Sequence, residues 1–198
     1  MIETSIVVVG ASWGGLSALS QLIGGLPSDF EVPVAVVQHR SRHADNLLAN
    51  LLQDATSLKV VDVEDKEPLM PRTVYVAPPN YHMLVDDGHL SLSTDPFVRY
   101  SRPSIDVTFL SAADTYPGST IGVILTGANN DGARGLRHIV DRGGWAVIQD
   151  PATAESPVMP EAARRAVPEA AIVPLLGIAP HLVRMIRNEV APTTGSTG

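Results

Sequence analysis

The chain of 198 residues contains no cysteine, which excludes a disulfide framework, a thiolate metal site and a cysteine nucleophile. No apolar stretch approaches the roughly 20 residues that cross a bilayer. The opening Met1-Ile2-Glu3-Thr4 lacks the basic region of a signal peptide, so a cytoplasmic location without membrane insertion is expected. Positive charge is short as well: the formal net charge is −7. Nucleic-acid binding, which needs concentrated positive charge, is therefore not expected. Aromatic residues are few (5%), but 44% of the chain is hydrophobic, enough for one full core, so a single domain over residues 1–190 is expected. Residues 191–198 (APTTGSTG) are small and polar, and are expected to form a flexible tail.

What is present begins with IVVVGASWGG at residues 6–15. A β-branched run bounded by glycine is the pattern of a buried parallel strand, and Leu16, Leu19, Leu22 and Ile23 follow at helical spacing. Ser12 thus stands at a strand-to-helix bend, where small neighbours permit a sharp turn and unpaired N–H groups of the next helix point the same way. The Gly-x-Ser-x-Gly spacing fits a nucleophile elbow, and glycine-rich turns of this kind also hold phosphates.

The same alternation continues. Strands are expected at 34–38, 59–63, 74–77, 121–126 and 145–149, with helices at 46–52, 135–140 and 160–167. A last strand is placed at 171–176 and a last helix at 178–187. This rhythm predicts a three-layer α/β fold, a mostly parallel, doubly wound sheet with helices on both faces. Residues 81–93 differ: HMLV and HLSLS flank Asp86-Asp87-Gly88 with alternating polarity, which predicts a β-hairpin insertion at an edge or rim.

In such sheets ligands bind beyond the carboxyl ends of the strands. Three polar residues follow strands there: Ser12, His39 and Asp131, the last within LTGANNDG. A serine hydroxyl holds its proton at neutral pH, so a base must take it. An imidazole can do so, provided a carboxylate on its other nitrogen fixes the tautomer and offsets the cation. Backbone N–H groups after Ser12, from Trp13 onward, and in the 126–129 turn, including Ala128, are placed to receive an oxyanion. Each residue also has an ordinary use. Ser12 and Asp131 can cap helices, and His39 can bond a carbonyl. His39 and His43 are four apart, but His39 ends a strand and nothing completes a ligand set, so no metal or other cofactor is expected.

GASWGG, Gln38-His39, Arg102-Pro103-Ser104-Ile105-Asp106 and GVILTGANNDGARG, with Tyr75-Val76-Ala77-Pro78, His82-Met83 and Met159-Pro160-Glu161-Ala162 in the same order, resemble the catalytic domain of the chemotaxis receptor methylesterases (CheB) over residues 5–187. The resemblance implies that Ser12, His39 and Asp131 act as nucleophile, base and orienting acid. It further implies hydrolysis of glutamate γ-methyl esters on the cytoplasmic helical domain of methyl-accepting chemotaxis receptors, with methanol released and, in some relatives, glutamines deamidated. Three positions depart from the family: Trp13 replaces threonine, Ala128 methionine and Asn129 glycine. Members that respond to phosphorylation resemble a receiver joined to this domain. Here the first strand follows Met1 closely, which leaves two readings, a free-standing esterase under a regulatory partner in trans or a domain excised from a longer protein; activity of this chain without phosphorylation is expected.

Arg40, Arg42 and His43 after the base, and Arg99 and Arg102 before Ser104, form a candidate positive rim for glutamate-bearing helices. Arg40, Arg99, Arg102 and Ser104 are the expected substrate-binding residues. Three other readings stand beside this one. An ordinary α/β-hydrolase would take its last triad member from His181, but lacks the strands that should precede Ser12. A nucleotide-binding module lacks the Gly-x-Gly-x-x-Gly spacing. A silent receptor-binding adaptor would have no use for the three residues together.

Overall fold

The computed structural model of the chain describes residues 5–39 and 47–187. The elements run β1 (Ile6–Ala11), α1 (Gly15–Gly24), β2 (Val34–Gln38), α2 (Leu48–Gln53), β3 (Lys59–Asp62), β4 (Glu67–Pro68), β5 (Thr73–Val76), β6 (His82–Asp86), β7 (His89–Ser93), α3 (Ile105–Thr115), β8 (Thr120–Ile124), α4 (Ala133–Asp141), β9 (Trp145–Gln149), α5 (Val158–Ala166), β10 (Ala171–Val173) and α6 (Leu175–Ile186). Seven strands form one parallel sheet in the order β10-β9-β8-β1-β2-β5-β3.

β1 is apolar throughout because it is covered from both sides. Val7 and Val9 face Leu19 and Leu22 of α1, Leu52 of α2 and Leu182 of α6. Ile6 and Val8 face Ile105 and Phe109 of α3, Leu136 of α4 and Met159 of α5. The chain leaves β1 toward β2 and later returns to β8 on β1's other side. The order therefore reverses between β1 and β8, and a crevice opens beyond their carboxyl ends.

The hairpin β6–β7 forms, joined by β4 into a three-stranded antiparallel sheet. Rather than extending an edge of the large sheet, it lies along α3. Thr108 Oγ1 donates to the Met83 carbonyl (2.6 Å), and Thr115 Oγ1 to that of Val85 (2.8 Å). α3 itself has no counterpart among the helices the sequence predicts. Its buried residues include Asp106 and Thr108, and polar residues on the inward face erase the apolar stripe by which a helix is read. The expected helix at 46–52 occupies Leu48–Gln53, and residue 46 lies outside the described residues, as do 191–198. The last strand ends at Val173 because Pro174 turns the chain into α6, which begins earlier than expected. Among the described residues no helix is long and apolar enough to cross a membrane.

Candidate active site

Ser12 leaves β1 in a bend held from three sides. Its N–H donates to the Thr126 carbonyl after β8 (3.0 Å). Its own carbonyl accepts from Gly15 N (2.9 Å) and from Gln38 Nε2 (2.8 Å). Gly14, at φ 76°, makes the turn into α1, a backbone region that side chains disfavour. A β-carbon on Gly15 would strike the Gln38 carboxamide, so Gln38 packs directly on the elbow. The neighbouring β8 loop is locked by Thr126 Oγ1, which donates to the Trp13 carbonyl (2.9 Å).

His39 follows β2, and its Nε2 lies 2.8 Å from Asp131 Oδ2. Asp131 is 2% exposed and is surrounded by donors. Ser104 Oγ and Asp106 N donate to Oδ1 (both 3.0 Å), and Ile105 N donates to Oδ2 (2.7 Å). The N-terminus of α3, whose first N–H groups have no partner within the helix, is thereby capped by a carboxylate from another loop. Burial works to raise the Asp131 carboxyl. Hydrogen bonds from His39 and the Asp106 N–H, the His39 charge and the Ile105 N–H outweigh it and hold the group below its ordinary value of 3.8.

An ionised carboxylate only accepts, so the hydrogen on this side belongs to His39 Nε2, and Nδ1 is left as the ring's acceptor. Ser12 and His39 line one cavity of about 560 Å³, with Trp13, Leu16, Gln38 and Ala128 around them. No hydrogen bond joins Ser12 Oγ to the ring among the described residues. Instead Asn129 Nδ2 approaches Nδ1 at 3.0 Å.

Trp13 is 65% exposed and stands at the mouth of this cavity rather than packing into a neighbouring loop. Among the described residues no acceptor takes the backbone N–H of Trp13 or Ala128, whereas that of Gly127 is used by the Ser156 carbonyl (3.1 Å). These are the two N–H groups expected to face an oxyanion.

A sequence pattern of the family described as CheB methylesterase matches residues 7–182. The chain belongs to the CheB methylesterase family. A Leptospira interrogans relative, named as a candidate protein-glutamate methylesterase/protein-glutamine glutaminase, is 42% identical over 185 residues, covering 93% of this chain and 96% of its own. A Carboxydothermus hydrogenoformans protein-glutamate methylesterase/protein-glutamine glutaminase is 40% identical over 91% of this chain and 55% of its own length. The chain thus spans about half of some relatives and nearly all of another. The crystal structure of the Thermotoga maritima CheB methylesterase catalytic domain superposes with a TM-score of 0.87 at 32% identity, covering 92% of this chain and 98% of that one. The family fold is the doubly wound sheet read from the sequence.

Two expected substrate-binding residues of this CheB-family chain are engaged elsewhere. Ser104 is fully buried, because its hydroxyl serves Asp131 and its N–H donates to His82 Nδ1 (3.2 Å). Arg102 stacks 4.4 Å over Phe97 and donates to Asn80 Oδ1 (2.8 Å) and the Thr94 carbonyl (2.7 Å). It staples the loop. Arg99 remains exposed, with Nη1 on Asn130 Oδ1 (2.9 Å). Arg40, Arg42 and His43 lie outside the described residues. His181 sits half-buried on α6, away from the cavity lining, and burial followed by the Arg184 charge lowers it. The sequence reading did not reach Asn129 as a partner of His39, nor Gln38 and His82 as supports, because each role depends on contacts between distant segments.

Proposed function

We propose that this chain is a serine hydrolase that removes methyl groups from glutamate γ-methyl esters on the cytoplasmic helical domain of chemotaxis receptors. The observation that supports the reading is the Asp131–His39 pair, 2.8 Å apart, with His39 lining the same cavity as Ser12. Ser12 Oγ attacks the ester carbonyl as His39 Nδ1 takes its proton. The negative oxygen of the tetrahedral adduct is met by the N–H groups of Trp13 and Ala128. The adduct collapses, the bond to methoxide breaks, and His39 returns the proton so that methanol leaves. Water then adds to the acyl-serine with His39 again as base, freeing the glutamate carboxylate and Ser12.

A glutamine side chain follows the same path with ammonia leaving, so deamidation is proposed as a second activity of the same site. The names of the relatives, which pair both activities, support this. The cytoplasm is the compartment in which such a substrate is met.

The test measures methanol release from a methylated receptor fragment, alongside labelling by a serine-directed fluorophosphonate, in wild type, Ser12→Ala and His39→Ala. Turnover and labelling should both fall by at least about a thousandfold in either variant, while receptor binding persists. An adaptor would lose nothing.

A further inference from the structure

The geometry points to Asn129 as a latch on the catalytic base, a positioning residue that occupies His39 Nδ1 in the resting site and must yield before Ser12 can react. The inference rests on the esterase reading above and names a control built into that same site.

The orientation of the Asn129 amide follows from its two bonds. Its Oδ1 accepts from the Asp131 backbone N–H (3.0 Å), a group that only donates. The amino group therefore faces His39, with Nδ2 3.0 Å from Nδ1. On the ring, Nε2 carries the hydrogen because it meets the Asp131 carboxylate, which leaves Nδ1 with one in-plane lone pair. That lone pair already accepts from Asn129. Ser12 must donate to the same lone pair before its oxygen can attack, so amide and hydroxyl compete for one acceptor.

The amide also opposes the step that follows. Once Nδ1 has taken the serine proton it becomes a donor, facing a second donor on Asn129, and that contact must open. A bound substrate that turns the Asn129 side chain aside would therefore release the base. Asn129 is half-buried at the cavity's edge, between the exposed Ala128 and Asn130, where a side chain can move without disturbing the core.

The test compares the full chain with Asn129→Ser, whose hydroxyl can still cap the Asp131 N–H but is too short to reach the ring. Should that turn fail to fold, Asn129→Gly is read instead. Freeing the lone pair should speed fluorophosphonate labelling of Ser12 by about three- to tenfold, the span of one neutral hydrogen bond. In a long-range ¹H–¹⁵N spectrum the His39 Nδ1 resonance should move toward that of a free imidazole acceptor while Nε2–H stays on Asp131, a change that a purely structural role would not produce. Unchanged or slower labelling, or an unmoved Nδ1 signal, overturns the latch. Ser12→Ala run in parallel separates the two proposals. Labelling lost there but equal in wild type and Asn129→Ser overturns the latch alone, and labelling that survives Ser12→Ala overturns both.

Discussion

Asp131 joins three tasks in one carboxylate: it orients the imidazole, caps α3 and ties Ser104 into the loop. Asp131→Asn keeps the shape but presents an amide where donors converge, so the His39 ring loses its fixed tautomer. A fall in kcat on the order of 10⁴ is expected by analogy with other serine hydrolases, read as methanol release under saturating receptor. The same residue makes stability depend on pH. Its carboxyl titrates below the ordinary value of 3.8 in the fold, so folding favours the ion. That stabilisation is fully present above pH about 4 and is lost as pH falls through the lower folded value. Urea unfolding of wild type and Asp131→Asn should differ most near pH 6 and converge in acid; a gap of constant size down to the lowest pH would contradict this. Ser12, His39 and Asp131 could be picked out in the sequence because Ser12 and His39 directly follow β1 and β2 and Asp131 lies in the loop after β8, and parallel strands deliver their ends to one rim. Ser104 could not, since a serine before a helix looks the same whether it meets solvent or a buried carboxylate.

At the level of elements, the site depends on how α3 and α4 approach each other. Gly135 permits that approach: a β-carbon there would lie 2.5 Å from Phe109 Cβ and 3.2 Å from the Asp106 carbonyl oxygen. Its N–H and that of Gly132 donate to Asp106 Oδ1 (2.8 and 3.0 Å), so a buried carboxylate on α3 caps α4. Burial raises the Asp106 carboxyl, the Gly135 N–H lowers it and the neighbouring Asp131 charge raises it, with the upward influences prevailing. Asp131, in the loop before α4, thus caps α3, while Asp106 of α3 caps α4. Gly135→Ala should wedge them apart, at a cost of about 1–3 kcal/mol in unfolding free energy. Because Asp131 moves with this junction, kcat should fall as well while KM changes little. A stability loss with kcat intact would show that the junction does not set the triad. The strands were legible as short apolar runs, buried on both faces of the sheet, and most helices by an apolar stripe on one face. α3 was hidden by the very groups, Asp106 and Thr108, that let it serve the site and receive the hairpin.

For the molecule as a whole, the field matters. The chain carries −7, so a glutamate-bearing partner approaches against an average repulsion unless the mouth of the site is locally positive. Among the described residues the expected rim narrows to Arg99, since Arg102 is committed to Phe97, Asn80 and the 94–95 loop. Arg99 sits in a two-residue turn, with Val98 and Ser101 bridged on either side. It and Tyr100 hold φ values of 47° and 66°, a region that residues other than glycine occupy at some cost. Tyr100 is fully exposed. The turn holds Arg99 on Asn130, two residues from Ala128 of the cavity lining. Arg99→Glu replaces attraction with repulsion at that point without touching the triad. It should lower kcat/KM on a receptor fragment by about tenfold at low ionic strength and by much less near 0.5 M salt, where charges more than several ångströms apart are screened. A small methyl ester, with no helix to steer, should respond little at either salt. An equal loss on the receptor at both salt concentrations would mean that Arg99 acts through shape or direct contact, and the steering argument would fail.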